Sequence, residues 1–340
     1  MDPTDDNLTL LDITLDYHNW SRNDGPKRNH TDTSQSNSHE MDVLNTLGIV
    51  FFTIIFALGI IGNGMVIWIA GFRMKKTISA VWFLNLAIAD LLCCSSIPVL
   101  IADWACVGFC SSSLSSEIFC LFSIILFNLN MSASVLLLTA MSIDRWVSVM
   151  WPFWTKVHRT QKLLRNTAGI IWVMSLIWTG IMLYYFAFDY NFDIQKTKTI
   201  QLIRFVIMFV IPFLIIFTSY VTIVLKLKKS KRPQRSQRPY RIITAVILGF
   251  FFCWAPYQSL PIIHVDYVNL LQLRIVDIIM NWLVYLNSCI NPIIYVFMGQ
   301  DFRHSFVRSI PSRVERALSE HLDDPCRGGE AHEPFSTTGV

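Results

Sequence analysis

Seven long apolar stretches divide the chain, and short polar segments separate them. They cover about 44–70, 78–102, 118–149, 166–188, 200–227, 240–264 and 270–297. A helix needs roughly 20 apolar residues to cross about 30 Å of hydrocarbon, and each stretch is long enough. Backbone groups inside a bilayer must be hydrogen-bonded within the chain, so such stretches form helices. The pattern therefore predicts an all-α membrane protein, a seven-transmembrane helix bundle.

The polar segments at the two ends complete the predicted organisation. Residues 1–43 are rich in Asp, Asn, Ser and Thr, which predicts a disordered segment, and they contain no apolar stretch typical of a cleaved signal peptide. The bundle covers 44–297. Residues 298–311 are expected to form a short amphipathic cytoplasmic helix, and 312–340 a disordered tail.

Basic residues in the short loops predict the orientation, because cytoplasmic loops retain Lys and Arg. The loop after the third stretch has Lys156, Arg159, Lys162 and Arg165, and a dense run of Lys and Arg covers 226–241. The loop over 103–117 has no basic residue. The N-terminus is therefore predicted to be extracellular and the protein to be a multi-pass plasma-membrane protein.

The extracellular segment carries candidate modification sites. Asn7, Asn19 and Asn29 each begin an Asn-x-Ser/Thr sequence, which is an acceptor for glycosylation when it is exposed on that side. The composition, 53% hydrophobic and 15% charged, excludes a soluble globule. Because the basic residues face the cytoplasm, the formal net charge of +4 does not indicate a nucleic-acid partner.

Ionisable side chains inside the apolar stretches are the candidates for function. Each costs roughly 2.5–3.5 kcal/mol to insert, so it is expected to have a partner or a role. They are Asp90, Asp144, Arg145, Arg204 and Asp277. No internal repeat or polar pore stripe indicates a transporter, and we expect no enzyme activity.

The apolar stretches also carry one characteristic polar or aromatic group each. The set consists of Asn63 in GNGMVIW, Asp90 in LNLAIAD, Asp144-Arg145-Trp146, Trp172, Pro212 with Tyr220, Cys253-Trp254-Ala255-Pro256 and Asn291-Pro292-Ile293-Ile294-Tyr295. In this order, the set resembles the rhodopsin-like (class A) G-protein-coupled receptors.

This resemblance implies a buried sodium site and no other metal or cofactor. A carboxylate in a low-dielectric bundle requires a cation or a proton, and oxygen donors suit a hard ion. The alternative, a protonated and hydrogen-bonded Asp90, stays open. The predicted site consists of Asp90, Asn130, Ser134, Asn287, Ser288 and Asn291.

The resemblance also implies an activation mechanism with a heterotrimeric G protein, arrestin and membrane lipid as partners. Arg145 is expected to pair with Asp144 in the inactive state and to meet the G protein when that pair opens. Trp146 replaces the usual Tyr, and Ser236 stands where many relatives have an acid, so fewer ionic contacts are expected in the inactive state. The predicted activation residues are Asp144, Arg145, Tyr220, Trp254, Pro256, Asn291, Pro292 and Tyr295.

Two ligand classes are excluded within this family. A retinal protein needs a lysine where Tyr285 stands, and an amine receptor needs a carboxylate where Phe127 stands. FRMKKT, VWFLNLAIADLLCC, SASVLLLTAMSIDR, FFFCWAPYQ and NSCINPIIYVFMGQDFR resemble the leukocyte chemoattractant receptors, a cluster that comprises the complement anaphylatoxin, formyl-peptide and chemerin receptors.

The resemblance favours an anaphylatoxin as the ligand. Arg204 matches an arginine that anaphylatoxin and formyl-peptide receptors share, whereas Asp277 matches an acid of the anaphylatoxin receptors. Arg204 would bind the terminal carboxylate of the ligand and Asp277 its guanidinium. A mutual salt bridge between the two, or snorkelling to the interface, is the structural alternative. Asn128 and Ile200 stand where formyl-peptide receptors have charged residues.

The remaining expectations concern the pocket and the extracellular side. The ligand pocket is expected to contain Arg204 and Asp277 together with Phe127, Asn128 and Tyr257. In the extracellular segment, Asp16 and a sulfated Tyr17 are expected to attract a cationic ligand. A non-signalling scavenger of the same ligand, or a chemerin or formyl-peptide receptor, is the alternative function.

The disulfide pattern is expected to depart from that of the family. Relatives join the residue matching Cys120 to a cysteine in the second extracellular loop, but 186–200 contains none. Cys110 is the favoured partner of Cys120, and the alternatives are that Cys120 pairs with Cys106 or remains free.

Overall fold

The structure is a computed structural model that describes residues 33–73, 78–106, 113–185, 194–229, 238–259 and 270–298. Some side chains within the helices, among them those of 33–42, Asp277 and Tyr295, lie outside the description. The first helix is Thr33–Trp68, extended by the π-helical turn Ile69–Arg73, and the second is Ile78–Ala105. The third helix is Leu114–Met150, and the fourth is Gln161–Leu183.

The fifth helix has two α-helical parts, Ile194–Phe205 and Ile211–Lys229, joined by the π-helical segment Val206–Val210. The sixth helix is Arg238–Ser259 and the seventh is Leu270–Met298. Pro152–His158 forms an additional loop helix between the third and fourth helices. The predicted seven-helix architecture is confirmed.

Hydropathy supports membrane insertion of most of these helices. In the part of the chain that the structure describes, five segments are long and apolar enough to span a bilayer: Val43–Phe72, Ala80–Asp103, Leu114–Met150, Gln161–Leu183 and Lys198–Lys226. Ile278–Ile294, in the seventh helix, is a shorter apolar segment.

The ends of the helices differ from those predicted. The first helix begins at Thr33 rather than near 44, and residues 33–43 contain neither Gly nor Pro to interrupt it. The loop helix was not predicted. Its proline stands at the first helical position, where a missing N–H costs nothing. The predicted amphipathic helix at 298–311 lies outside the described residues, apart from its first residue.

The third helix is at the centre of the bundle. It packs against the second, fourth and fifth helices, while the first packs against the second and seventh, and the sixth against the seventh. Ser113 caps its N-terminus by accepting a hydrogen bond from the backbone N–H of Ser116 at 3.3 Å. Fully buried Trp82 and Trp254 are the largest side chains of the core.

Two glycines allow the first helix to approach its neighbours closely. A Cβ on Gly59 would overlap the Sγ atom of Cys94 and lie 3.5 Å from that of Cys289. A Cβ on Gly62 would lie 3.1 Å from the ring of Pro292. Small residues at helix contacts allow backbones in a membrane to pack closely, so these glycines bring the first, second and seventh helices together.

The structure contains a disulfide bond at Cys120, on the side predicted to be extracellular. Cys120 is disulfide-bonded, whereas Cys106 is an exposed free thiol. The partner of Cys120 lies outside the described residues. Since the alternative partner Cys106 is free, we propose that Cys120 pairs with Cys110.

Peptide mapping of unreduced protein should recover Cys110 joined to Cys120, with Cys106 alkylated without reduction. Removal of the bridge by Cys110→Ser should lower the free energy of unfolding by about 2–3 kcal/mol, because a closed loop restricts the unfolded chain. Cys106→Ser is the matched control and should change it little. Recovery of Cys110 and Cys120 as separate free thiols would contradict this bridge.

Candidate functional site

The carboxylate of Asp90 connects three helices in the middle of the bundle. Asp90 has no exposed surface. Its Oδ1 accepts a hydrogen bond from Asn130 Nδ2 of the third helix at 3.1 Å, and its Oδ2 accepts one from Asn291 Nδ2 of the seventh at 2.8 Å. Asn130 Nδ2 also lies 3.4 Å from Ser134 Oγ. The structure thus brings together four of the six residues predicted to hold sodium.

The other two members of the predicted set, Asn287 and Ser288, are also buried. Three polar atoms of the whole set lack a protein partner within the described part of the chain. Among the described residues, no hydrogen bond is made by Asn130 Oδ1, Asn287 Nδ2 or Ser288 Oγ. A buried polar atom that lacks a partner is costly and indicates an unseen water or ion. Two of these three atoms are oxygens, as a hard cation requires, so the donors fit a sodium ion beside Asp90.

Asn63 joins the first helix to this region. Its Nδ2 donates to the carbonyl oxygen of Ser288 at 2.8 Å and to that of Gly59 at 3.0 Å. The backbone around Ser288 is therefore held by a neighbouring helix as well as by its own.

Asp144 forms an ion pair that the sequence did not predict. The prediction from the sequence is a pair of Asp144 with its neighbour Arg145. In the structure, the ion pair of Asp144 is with Arg159, which follows the loop helix. Arg159 Nε donates to Asp144 Oδ1 at 2.6 Å, and its Nη2 donates to Oδ2. Trp82 Nε1 lies 3.4 Å from the same Oδ2.

Aromatic rings surround the indole of Trp254 in the sixth helix. The Phe127 centroid lies 5.6 Å from that of Trp254, 5.5 Å from that of Tyr257 and 5.7 Å from that of Tyr285. Phe127 and Tyr257, both predicted to line the ligand pocket, are therefore in contact with each other and with Trp254. The sixth helix includes Pro256, where a proline removes one backbone donor.

Arg204 is a buried cation beside this aromatic cluster. Its guanidinium carbon lies 5.6 Å from the ring centroid of Tyr257, a cation–π distance. The side chain is only 6% exposed, and within the described part of the chain its Nε makes no hydrogen bond. Burial of an unsatisfied charged donor is expensive, so the site is suited to an added acceptor.

Two buried glutamines, one in the fifth helix and one in the sixth, were not predicted from the sequence. Gln201 lies one turn earlier in the fifth helix, and Gln258 follows Tyr257 in the sixth. Both are buried, and neither Oε1 has a hydrogen-bond partner among the described residues. Gln258 Nε2 contacts Met131 Sδ at 2.9 Å. Both glutamines could have been found from the sequence, because each is an amide side chain inside an apolar stretch.

The other predicted ligand residues are less fully described. Asn128 is half-buried, and its Nδ2 donates to the carbonyl oxygen of Ile124 at 2.9 Å in its own helix. Asp277 lies in the seventh helix, but its side chain is outside the description, as is that of Tyr295. Asp16, Tyr17 and the three glycosylation sites are outside the described residues altogether.

An open groove of about 720 Å³ between the fifth and sixth helices is distinct from these sites. Its lining contains no charged or hydrogen-bonding side chain, so it offers nothing to bind the charged end of a peptide. It is lined by Phe209, Phe213, Leu248, Gly249, Phe251, Phe252 and Ala255.

Comparison of the sequence with known proteins identifies the family of this chain. Residues 62–295 match the family described as "7 transmembrane receptor (rhodopsin family)". The chain is 35% identical over 325 residues to the "C3a anaphylatoxin chemotactic receptor" of Danio rerio, covering 90% of this chain and 86% of the relative. It is 35% identical over 308 residues to "Formyl peptide receptor 2" of Mus musculus, covering 82% and 87%.

A third relative, the "fMet-Leu-Phe receptor" of Macaca mulatta, is 36% identical over 306 residues, with 82% of this chain and 87% of the relative covered. The match to the family covers most of the chain, and the relatives are aligned over most of their length. The chain therefore belongs to the rhodopsin family of seven-transmembrane receptors, within its chemoattractant cluster.

Proposed function

We propose that this G-protein-coupled chemoattractant receptor recognises an anaphylatoxin, a small cationic protein that ends in a basic residue with a free carboxylate. The observation that carries the proposal is Arg204, a buried guanidinium whose Nε lacks a hydrogen-bond partner among the described residues. Binding leads to chemotaxis of leukocytes through an inhibitory-type G protein.

The chemistry of the site supports a terminal carboxylate as the bound group. A carboxylate presents two acceptors to the planar guanidinium of Arg204, and such charge-assisted pairs are among the strongest hydrogen bonds. The free Oε1 atoms of Gln201 and Gln258 accept N–H groups, which the terminal residue of a peptide supplies in its amide and its side chain. A terminal residue with an anionic end and N–H donors thus matches the chemistry of all three side chains.

The second charge of the ligand is assigned to Asp277, which binds the terminal guanidinium. Asn128 and Ile200 make the pocket less suited to a formyl peptide, because they replace charged residues of the formyl-peptide receptors. The two named classes of relative are about equally similar to this chain. The choice of an anaphylatoxin therefore rests on the residues of the pocket.

The receptor is a multi-pass protein of the plasma membrane, and we propose that its N-terminus is extracellular. Asp16 and a sulfated Tyr17 attract the cationic body of the ligand and speed encounter. Asn7, Asn19 and Asn29 carry glycans. On the cytoplasmic side the receptor binds a heterotrimeric G protein and, once activated, arrestin.

A ligand panel tests the proposal. Cells that express the receptor are treated with complement fragments, formyl peptides or chemerin, and cAMP and calcium are measured. A complement fragment with a free C-terminal arginine should lower cAMP at the lowest concentration. A response only to formyl peptides or chemerin would contradict the ligand assignment, and binding of the fragment without a response would identify a scavenger.

The sodium site gives a separate prediction. Sodium beside Asp90 ties the second, third and seventh helices together, so it should favour one bundle arrangement and lower agonist affinity several-fold. Asp90→Asn removes the charge and should abolish the dependence of agonist affinity on sodium. Radioligand competition in sodium and in potassium at equal ionic strength measures it. Wild-type affinity that is indifferent to sodium would leave Asp90 as a protonated structural residue.

A further inference from the structure

Two neighbouring phenylalanines of the first helix pack against aromatic side chains of the seventh. Phe51 stacks on Trp282, with ring centroids 4.3 Å apart and 24° between the ring planes. Phe52 meets Tyr285 edge-on, with centroids 5.6 Å apart and 88° between the planes. Stacked and edge-to-face arrangements are the favourable geometries of aromatic pairs. Because Trp282 and Tyr285 are three residues apart, the first helix contacts one turn of the seventh at two points.

The orientation of Trp282 depends on the ring of Phe51. Trp282 is half-buried, and its Nε1 is buried without a hydrogen-bond partner among the described residues. A buried indole N–H generally has a partner that fixes the ring, so packing takes this part here. Tyr285, by contrast, also has its hydroxyl oxygen 3.4 Å from Ser96 Oγ of the second helix. Of the two contacts, the stacking of Phe51 on Trp282 is therefore the one without support from a second polar contact.

This turn of the seventh helix belongs to the smaller of two clusters of buried apolar side chains. The cluster contains residues of the first, second and seventh helices, and Trp282 and Phe51 pack against it. Phe127 of the third helix packs against both clusters. Close packing transmits a displacement of one side chain to its neighbours, so the first helix contributes to the position of the seventh. The buried members are Phe52, Ile55, Cys93, Cys94, Ile97, Tyr285 and Cys289.

Asp277 lies on the same helix, five residues before Trp282. A rise of about 1.5 Å per residue places the two backbones roughly 7–8 Å apart along the helix axis. Over this distance a helix is stiff, so the position of Trp282 determines that of the backbone at Asp277. Arg204 is on the fifth helix beside Tyr257. The two residues proposed to bind the terminal residue of the ligand are thus positioned by different packing contacts.

We propose that Phe51 is a positioning residue for ligand specificity: by stacking on Trp282 it sets the place of Asp277, and with it the preference of the receptor for a terminal arginine over a neutral residue. Phe52 supports the same turn through Tyr285. Phe51 does not need to touch the ligand. The inference rests on the proposed function, in which Asp277 binds the terminal guanidinium.

Two peptides that differ in their last residue test the proposal. Both are free acids, one ending in arginine and the other in norleucine, and their binding to the full-length receptor in membranes is measured. Phe51→Leu removes the ring but keeps an apolar side chain. It should weaken binding of the arginine peptide about tenfold, which corresponds to roughly 1.4 kcal/mol, and that of the norleucine peptide less than about twofold. Equal losses for the two peptides, or no loss for either, would overturn the proposal.

Two further variants separate the ring contact from general loosening of the cluster. Phe51→Tyr keeps the aromatic ring and should keep the preference for arginine. Phe56→Leu is the matched control, because Phe56 is on the same helix and packs against the same cluster. In the described residues it has no ring contact with the seventh helix, so its replacement should change the preference less than about twofold. A loss of preference in Phe56→Leu equal to that in Phe51→Leu would overturn the proposal.

A double-mutant cycle with Asp277→Asn shows whether Phe51 acts through Asp277. Asp277→Asn alone should remove most of the preference for arginine. Phe51→Leu should then reduce the preference no further, because both changes remove the same contact. A further loss would contradict the positioning role and leave the proposed function standing. Wild-type preference in Asp277→Asn would instead refute the binding of the guanidinium by Asp277, and the positioning role with it.

Discussion

Replacing Arg145 by alanine should abolish G-protein activation while surface expression and ligand binding stay largely intact. Arg145 follows Asp144 at the end of the third helix and is half-buried, and we propose that this cation serves the active arrangement of the bundle and not its folding. Nucleotide exchange on the G protein should fall at least about a hundredfold, which corresponds to roughly 2.7 kcal/mol.

Lys162→Ala is the control for Arg145→Ala, since it removes an exposed positive charge from the same end of the bundle. It should keep near-normal exchange. A normal second-messenger response from Arg145→Ala at matched expression would refute a signalling role for this residue.

Replacing Arg204 by glutamine should reduce the affinity for a ligand with a free terminal carboxylate about a hundredfold. The variant loses the charge and the two parallel N–H donors in a buried site, and truncation of one partner of a buried charge pair costs roughly 2–5 kcal/mol. Binding of a labelled C-terminal peptide of the anaphylatoxin to membranes measures the effect. Arg204→Lys should recover part of the affinity, because it restores the charge without the fork.

Lys196→Gln is the matched control for Arg204→Gln. Lys196 lies on the same helix, is exposed, and has its Nζ 5.7 Å from the ring centroid of Tyr185. Its replacement should change the affinity less than threefold or so, since solvent screens the charge of an exposed residue. Equal losses in the two variants would indicate general electrostatic attraction instead of capture of the carboxylate by Arg204.

Most of the architecture could be predicted, because each spanning helix coincides with an apolar stretch that is longer than those in helices of soluble proteins. The π-helical segment Val206–Val210 could not. There, the N–H of Ile211 donates to Val206 O, a widened turn that leaves no trace in hydropathy, although Pro212 follows it. The start of the first helix at Thr33 was not predicted, because a polar segment beside an apolar stretch can either continue the helix or form a loop.

The buried sites were predicted to different degrees. Asp90, Asn130, Ser134 and Asn291 were found because polar groups in apolar stretches are rare, and the structure joins them by hydrogen bonds. The ion pair of Arg159 with Asp144 was not predicted. A basic residue in a loop is usually solvated, and the pattern of apolar and polar residues does not predict the path of the loop. The roles of Asp277 and Tyr295 stay predictions, because their side chains lie outside the description.

The most direct test of the proposed function compares two forms of one ligand. A C-terminal anaphylatoxin peptide ending in arginine is prepared as the free acid and as the terminal amide, and the binding of both to the wild-type receptor is measured. If Arg204 captures the carboxylate, the amide should bind about a hundredfold more weakly, a difference of roughly 2.7 kcal/mol, and the two forms should bind alike to Arg204→Gln. Equal binding of acid and amide to the wild-type receptor would contradict the account.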